Sequence, residues 1–229
     1  MYPVSLPANT ADVDITYRFM PGDSSFLIGA AYLLNNAIQH DLFSVNITPP
    51  FTQKRLIVPG YSPDFKNTNY YSIDAIGYNE YTGTHSEVRL IIGSLTDSTI
   101  KKTYKLDKIN SLSKPDSRMS SDGNWLAVNV GASMSNTKYA DRTSIGGLAI
   151  IDLREGSSTQ YQVYRFFPDY MKGGCNCANL DYSPGMAWSA DGKYLYHQQI
   201  RISDSTTQLV RREIRTGKTE EISNFLTPP

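Results

Sequence analysis

Few residues of this chain stand where they could do covalent or metal chemistry. Cys175-Asn-Cys177 is the one pair with metal or redox potential, yet zinc takes four ligands, usually from two separated pairs. The histidines, His40, His85 and His197, are far apart in sequence, and no second pair completes a tetrahedral set. A bridge inside Cys-x-Cys closes a very small, strained ring. Both cysteines therefore read first as loop residues, with a strained disulfide, a metal and a partner contact as competing roles. Hydrolytic signals are as thin. Gly131-Ala-Ser-Met-Ser lacks the final glycine of a nucleophile elbow, and no strand–helix alternation surrounds it. Carboxylates such as Asp14 and Asp74 could face each other across a channel, as glycoside hydrolysis requires, but rim and turn positions suit Asp equally. His197, after Tyr-Leu-Tyr on an apolar stretch, reads as a packed, hydrogen-bonded imidazole rather than a channel-lining one. His40-Asp41 reads as a solvated turn. No catalytic residue, metal or cofactor is assigned.

The partners are bounded by charge. Lys plus Arg equals Asp plus Glu at 22 each, so no net field favours nucleic acid or an anionic membrane. Arg211-Arg212 is offset by Glu213, and no glycine loop cradles a phosphate. Glu220-Glu221 and Lys101-Lys102 read as solvated outer-strand faces. No run reaches the roughly 18 apolar residues of a membrane span. The N-terminus has neither a positive segment nor an apolar one and does not read as a signal peptide. Two cysteines and the single sequon Asn46-Ile-Thr leave the compartment open. The aromatic residues lean to tyrosine, 16 against 8 Phe and 2 Trp, which suits strands and turns better than long helices.

The elements that must carry these residues repeat. Met119-Ser-Ser-Asp-Gly-Asn-Trp-Leu-Ala-Val is matched by Trp188-Ser-Ala-Asp-Gly-Lys-Tyr-Leu-Tyr. Each reads as a short strand, an Asp-Gly turn and an apolar strand. Each is followed by a third strand ending in a charged turn with glycine, Leu148 to Gly156 and Leu209 to Gly217. Their outer strands are Gln160–Phe166 and Thr219–Ile222. Two weaker copies precede them. The first reads Ile15–Phe19, a turn at Asp23, Phe26–Tyr32, Leu42–Ile47 and Lys54–Val58. The second has Tyr61-Ser-Pro-Asp64 where the turn belongs, then Tyr70–Ile76, Glu87–Ile92 and Lys101–Lys105. Gly29 to Gln39 also reads as two or three helical turns, since periodicity leaves short apolar runs ambiguous. A polar insert runs from Gly131 to Ile145, and a second insert, with Gly173-Gly174, both cysteines and aromatic residues, runs from Pro168 to Pro184.

The middle strands are apolar on both faces, as in Phe-Leu-Ile-Gly-Ala-Ala and Leu-Ala-Ile-Ile, whereas the fourth strands alternate with polar residues. A lone sheet with one wet face would alternate throughout. The gradient predicts an all-β fold of four-stranded antiparallel β-propeller blades, arranged radially so that few edges are exposed.

Trp188-Ser-Ala-Asp-Gly-Lys-Tyr-Leu resembles the W-S-P-D-G-K signature of TolB-type propeller repeats, and Met119-Ser-Ser-Asp-Gly-Asn-Trp-Leu resembles it with Met in place of Trp and Ser in place of Pro. Tyr61-Ser-Pro-Asp keeps the S-P-D core, and Phe19-Met-Pro-Gly-Asp keeps Pro and Asp in disturbed order. The resemblance implies blades near residues 12–58, 59–107, 108–168 and 169–229. Such propellers usually have six to eight blades, so a four-bladed ring, part of a larger ring, or a ring completed between chains are all compatible. It also favours a periplasmic or extracellular setting. The function expected is a non-catalytic module or scaffold binding a protein or peptide through its loops, with Tyr170, Cys175, Cys177 and Tyr182 as the first contact residues. The alternatives are the propeller part of a prolyl oligopeptidase-type serine peptidase, and a structural subunit assembling with further blades or other chains.

Overall fold

A computed structural model describes residues 10–12, 18–19, 25–34, 37–49, 53–56, 61–79, 84–96, 99–107, 109, 117–130, 143–172, 185–200 and 207–224. Every regular element among them is a β-strand, and the strands form four antiparallel sheets. The chain falls into two compact units, Met1–Ser72 with Ile91–Thr103, and Ile73–Leu90 with Tyr104–Pro229. No helix among the described residues is long and apolar enough to cross a membrane.

The first sheet contains β1 (Thr10–Asp12), β2 (Arg18–Phe19), β3 (Ser25–Leu34), β4 (Ala37–Asn46) and β5 (Gln53–Leu56). Its order is β1-β3-β4-β5, with β2 also on β3. The segment that could have been helical is instead the tip of the long β3/β4 hairpin, where Leu33 opposes Ile38 and Leu34 opposes Ala37. Ten cross-strand pairs along this hairpin outweigh a local propensity that was never strong. His40 and Asp41, read as a turn, lie within β4 opposite Ala31 and Ala30.

The second sheet is β6 (Tyr61–Lys66), β7 (Asn69–Asn79), β8 (Thr84–Ser94) and β9 (Ile100–Lys105), in that order. Here Tyr61-Ser-Pro-Asp64 is strand, not turn. The reversal comes three residues later at Asn67, whose φ of 55° is one that asparagine tolerates better than most residues.

The third sheet is β10 (Ser117–Met119), β11 (Trp125–Val130), β12 (Thr143–Asp152) and β13 (Val163–Lys172). The fourth is β14 (Met186–Trp188), β15 (Tyr194–Ile200), β16 (Thr207–Glu213) and β17 (Thr219–Asn224). Both belong to the second unit and follow one plan. Trp125 opposes Asp152 as Tyr194 opposes Glu213, and Met119 opposes Leu126 as Trp188 opposes Leu195. Between them lies a core of Trp125, Ala127, Leu148, Ile150 and Phe167 against Met186, Leu195 and Ile214, all buried. Strand β13 runs past its expected end through Pro168 to Lys172, so the first five residues of the supposed loop are strand. Proline is admissible there because β13 is an outer strand.

Candidate functional site

The two repeated turns are built from the same bonds. In each, the serine N–H donates to the carbonyl five residues on, Ser120 to Trp125 at 2.8 Å and Ser189 to Tyr194 at 2.9 Å. The serine hydroxyl donates to the aspartate two residues later at 2.6 Å, Ser120 to Asp122 and Ser189 to Asp191. The same hydroxyls accept the N–H of Trp125 and Tyr194 at 2.9 Å. The carboxylates then cap the N–H of Asn124 at 3.0 Å and of Lys193 at 3.1 Å. Glycine closes each corner, with φ of 65° at Gly123 and 66° at Gly192, where other residues would be strained. The Ser-x-Asp-Gly spacing is thus turn chemistry, an Asx-type closure of a tight hairpin.

The two turns meet at a seam between the third and fourth sheets. Ser121 Oγ donates to Ala190 O at 2.6 Å, and Trp188 Nε1 donates to Arg118 O at 2.9 Å. Farther out, Arg165 donates to Ile214 O at 3.1 Å and Arg215 O at 2.9 Å. A cleft of about 310 Å³ opens at the seam, lined by Asp122, Trp125, Asp191, Lys193 and Arg215 among others. Two carboxylates and two cations in one cleft invite a catalytic reading, but the electrostatics point elsewhere. Burial pushes the Asp122 carboxyl up, while hydrogen bonds from Ser120 and Asn124 outweigh it and hold the group below its usual range. The Ser189 hydroxyl, then the Lys193 N–H, holds Asp191 low as well. Proton transfer near neutral pH wants a carboxyl raised toward the working pH. These two are pinned ionised as caps.

Asp152 and His197 are also engaged within the same unit. Asp152 is fully buried and accepts bonds from Arg154 Nε at 2.9 Å, Arg154 Nη2 at 2.7 Å, and the Ser157 and Thr159 hydroxyls at 2.6 Å each. Burial raises its pKa, but these donors more than reverse that and leave it well below the carboxylate range. The Arg154 guanidinium lies 4.4 Å from the Trp125 ring centre. His197 is buried, as expected from its apolar setting. Its Nε2 accepts from Arg212 Nε at 2.7 Å, so the ring is neutral and its proton sits on Nδ1, donated to Gln198 O at 2.8 Å. Burial, reinforced by the Arg212 charge, takes its pKa from 6.5 to about 4. Arg212 in turn lies 4.6 Å from the Phe167 ring of the third sheet. An imidazole with both nitrogens committed is a packing element, and the packed reading of His197 holds.

Of the residues singled out from sequence, Tyr170 lies on β13 opposite Ile145 rather than in a loop. Cys175, Cys177 and Tyr182 lie outside the described residues, as does Asp14, while Asp74 sits half-buried on β7. The seam donors Ser121, Arg165 and Trp188 were not anticipated. Only Ser-x-Asp-Gly, repeated, signalled the turns. Among the described residues, no group of three His, Cys, Asp or Glu side chains could hold a metal.

No protein-family description matches the sequence, nor does any curated protein at a significant level. Solved structures do resemble it. TolB from Acinetobacter baumannii superposes with a TM-score of 0.50 at 14% identity, over 92% of this chain and 43% of TolB. The fold is of propeller type. Hydrazine synthase from Kuenenia stuttgartiensis follows at a TM-score of 0.48, 12% identity and 97% and 69% coverage. A putative 6-phosphogluconolactonase from Bacteroides fragilis gives 0.45, 18%, and 92% and 54%. The chain spans less than half the length of the TolB structure it matches.

Proposed function

We propose that this chain is a non-catalytic β-propeller module that binds a protein or peptide through the loops at the ends of its blades. The observation that carries the reading is the seam. The Asp122 and Asp191 carboxylates of the third and fourth sheets are committed to their own turns and the buried imidazole to Arg212 of its own sheet, while Ser121, Trp188 and Arg165 bond one sheet to the next. They stiffen a frame, and a stiff frame with loops of variable length suits recognition. The long insert containing Cys175, Cys177 and Tyr182 is the first candidate surface, with Tyr170 on the strand that leads into it. Replacing residues 173–184 with a short Gly-Ser linker should leave the circular dichroism and melting temperature intact while abolishing capture of the natural partner. Undiminished capture by the folded variant rejects the assignment of this loop.

A further inference from the structure

Two strands end their sheets with side chains facing water: β9 in the second sheet and β17 in the fourth. Ile100 on β9 is 54% exposed and Ile222 on β17 is 48% exposed, the two highest values for large hydrophobic residues among those described. Both strands are six residues long, Ile-Lys-Lys-Thr-Tyr-Lys and Thr-Glu-Glu-Ile-Ser-Asn. Set them antiparallel with Ile100 opposite Ile222. Lys101 then opposes Glu221, Lys102 opposes Glu220 and Thr103 opposes Thr219. Residues opposed on antiparallel strands project to the same face, so all four pairs would touch.

Each edge also rejects itself. Antiparallel β9 on β9 in the corresponding register puts Lys101 against Lys102, and β17 on β17 puts Glu220 against Glu221. Like charges directly opposite are destabilising. Lysines on an edge strand ordinarily discourage any pairing. Facing an acidic strand, the same lysines select a partner instead.

We propose that β9 of one molecule pairs with β17 of a second copy, antiparallel and in this register. The two surfaces differ, so the contact is heterologous and propagates head to tail. A single pair of six-residue strands falls short of a stable interface area, so association is weak and concentration-dependent. Glu220 already receives Arg211 and, at 2.9 Å, Lys218 Nζ, and Lys101 Nζ donates to Asn69 Oδ1 at 2.9 Å. Two of these bonds draw the charged heads inward, Lys101 toward Asn69 on β7 and Glu220 toward Arg211 on β16, so an incoming strand has to share or displace these exposed partners. The inference rests on strands alone and is independent of the loop reading.

Sedimentation velocity over a wide concentration range at low salt tests it. The native chain should self-associate reversibly, less so at high salt, which screens exposed pairs. K101E/K102E presents two acidic edges and E220K/E221K two basic ones, so each alone should associate at least tenfold more weakly. Their equimolar mixture should associate again, because every edge then finds its opposite. E220K removes a partner of Arg211, so folding is confirmed by circular dichroism. Ile222→Lys, which leaves both glutamates in place, is the second variant and should weaken association too. A native chain that stays monomeric throughout, or association indifferent to these changes, overturns the proposal.

Discussion

Position for position, the third and fourth sheets carry different side chains on the same backbone. The shared register matches Val128 with His197, Ile150 with Arg211, Ile151 with Arg212 and Asp152 with Glu213. In the third sheet, Leu126 to Val128 and Leu148 to Ile151 are all buried, on both faces. In the fourth, one face is buried and includes His197 and Arg212, while Tyr194, Tyr196 and Arg211 on the other are only half-buried. The Ser-x-Asp-Gly turn is equally well formed in both. Turn chemistry therefore sets the strand path, and what covers each face decides which residues the strands can hold.

The largest expected contrast lies at the matched acids. Asp152 is fully buried beneath Arg154, and its removal strands a cation and two hydroxyls. Asp152→Ala should cost about 3–5 kcal/mol. Glu213 caps Thr216 Oγ1 at 2.7 Å and meets an exposed Lys193 at 3.3 Å. Glu213→Ala should cost far less, because its cation partner stays in solvent. Denaturant midpoints of the two variants, with unchanged slopes, measure the difference. Equal losses would mean that coverage does not set the value of the acid.

Acid should find the fourth sheet before the third. Folded His197 has a pKa of about 4 against an ordinary 6.5, so it resists the proton that the unfolded chain accepts. Above pH 6.5 the imidazole is neutral in both states and contributes no pH dependence. Between 6.5 and about 4 stability falls as pH falls, by up to about 3 kcal/mol. The depressed carboxylates act in the same direction at lower pH, because their stabilisation disappears only as they protonate. His197→Gln keeps an acceptor for Arg212 without gaining charge and should flatten the curve between pH 5 and 6.5. An unchanged curve would assign that acid step to another group. Val128 offers no such handle, so amide exchange should rise first in β15 and β16 and later in β11 and β12.

These contrasts also mark what the sequence could and could not disclose. Hairpin order in the last two sheets was legible because Asp-Gly corners and apolar pairs are local signals. The packed reading of His197 fits its place after Tyr-Leu-Tyr on an inner strand, where its side chain shares the buried face with Leu195 and Val210. Where the local signal was borrowed, the reading slipped. Ser-Pro-Asp64 looked like the later corners, yet Asn67 makes the turn, because a left-handed residue is needed and position 65 is Phe. The β3/β4 tip and the extension of β13 through Pro168 depend on partners across the sheet, which periodicity does not show. The seam was hidden for the same reason: Ser121 and Ala190 are distant in sequence, and their bond runs to a backbone carbonyl that any residue could offer.

The smallest effect isolates the seam from the turn. Gly156 and Gly192 both adopt positive φ, 72° and 66°, so alanine at either pays the left-handed penalty of about 1 kcal/mol. A methyl group at Gly156 would meet nothing within 4 Å. At Gly192 it would fall 2.7 Å from Asp122 Oδ1, an oxygen held in place by Ser120 and the Asn124 N–H. Gly192→Ala should therefore cost about 2 kcal/mol, roughly 1 kcal/mol more than Gly156→Ala, with the excess arising from the neighbouring sheet. Pairing it with Asp122→Ala tests that origin by a double-mutant cycle, since removing the carboxylate clears the space. If the two changes interact, the turns of the third and fourth sheets are in contact through Asp122. Strict additivity would place the whole cost in the backbone of the Gly192 turn and leave the close approach energetically silent.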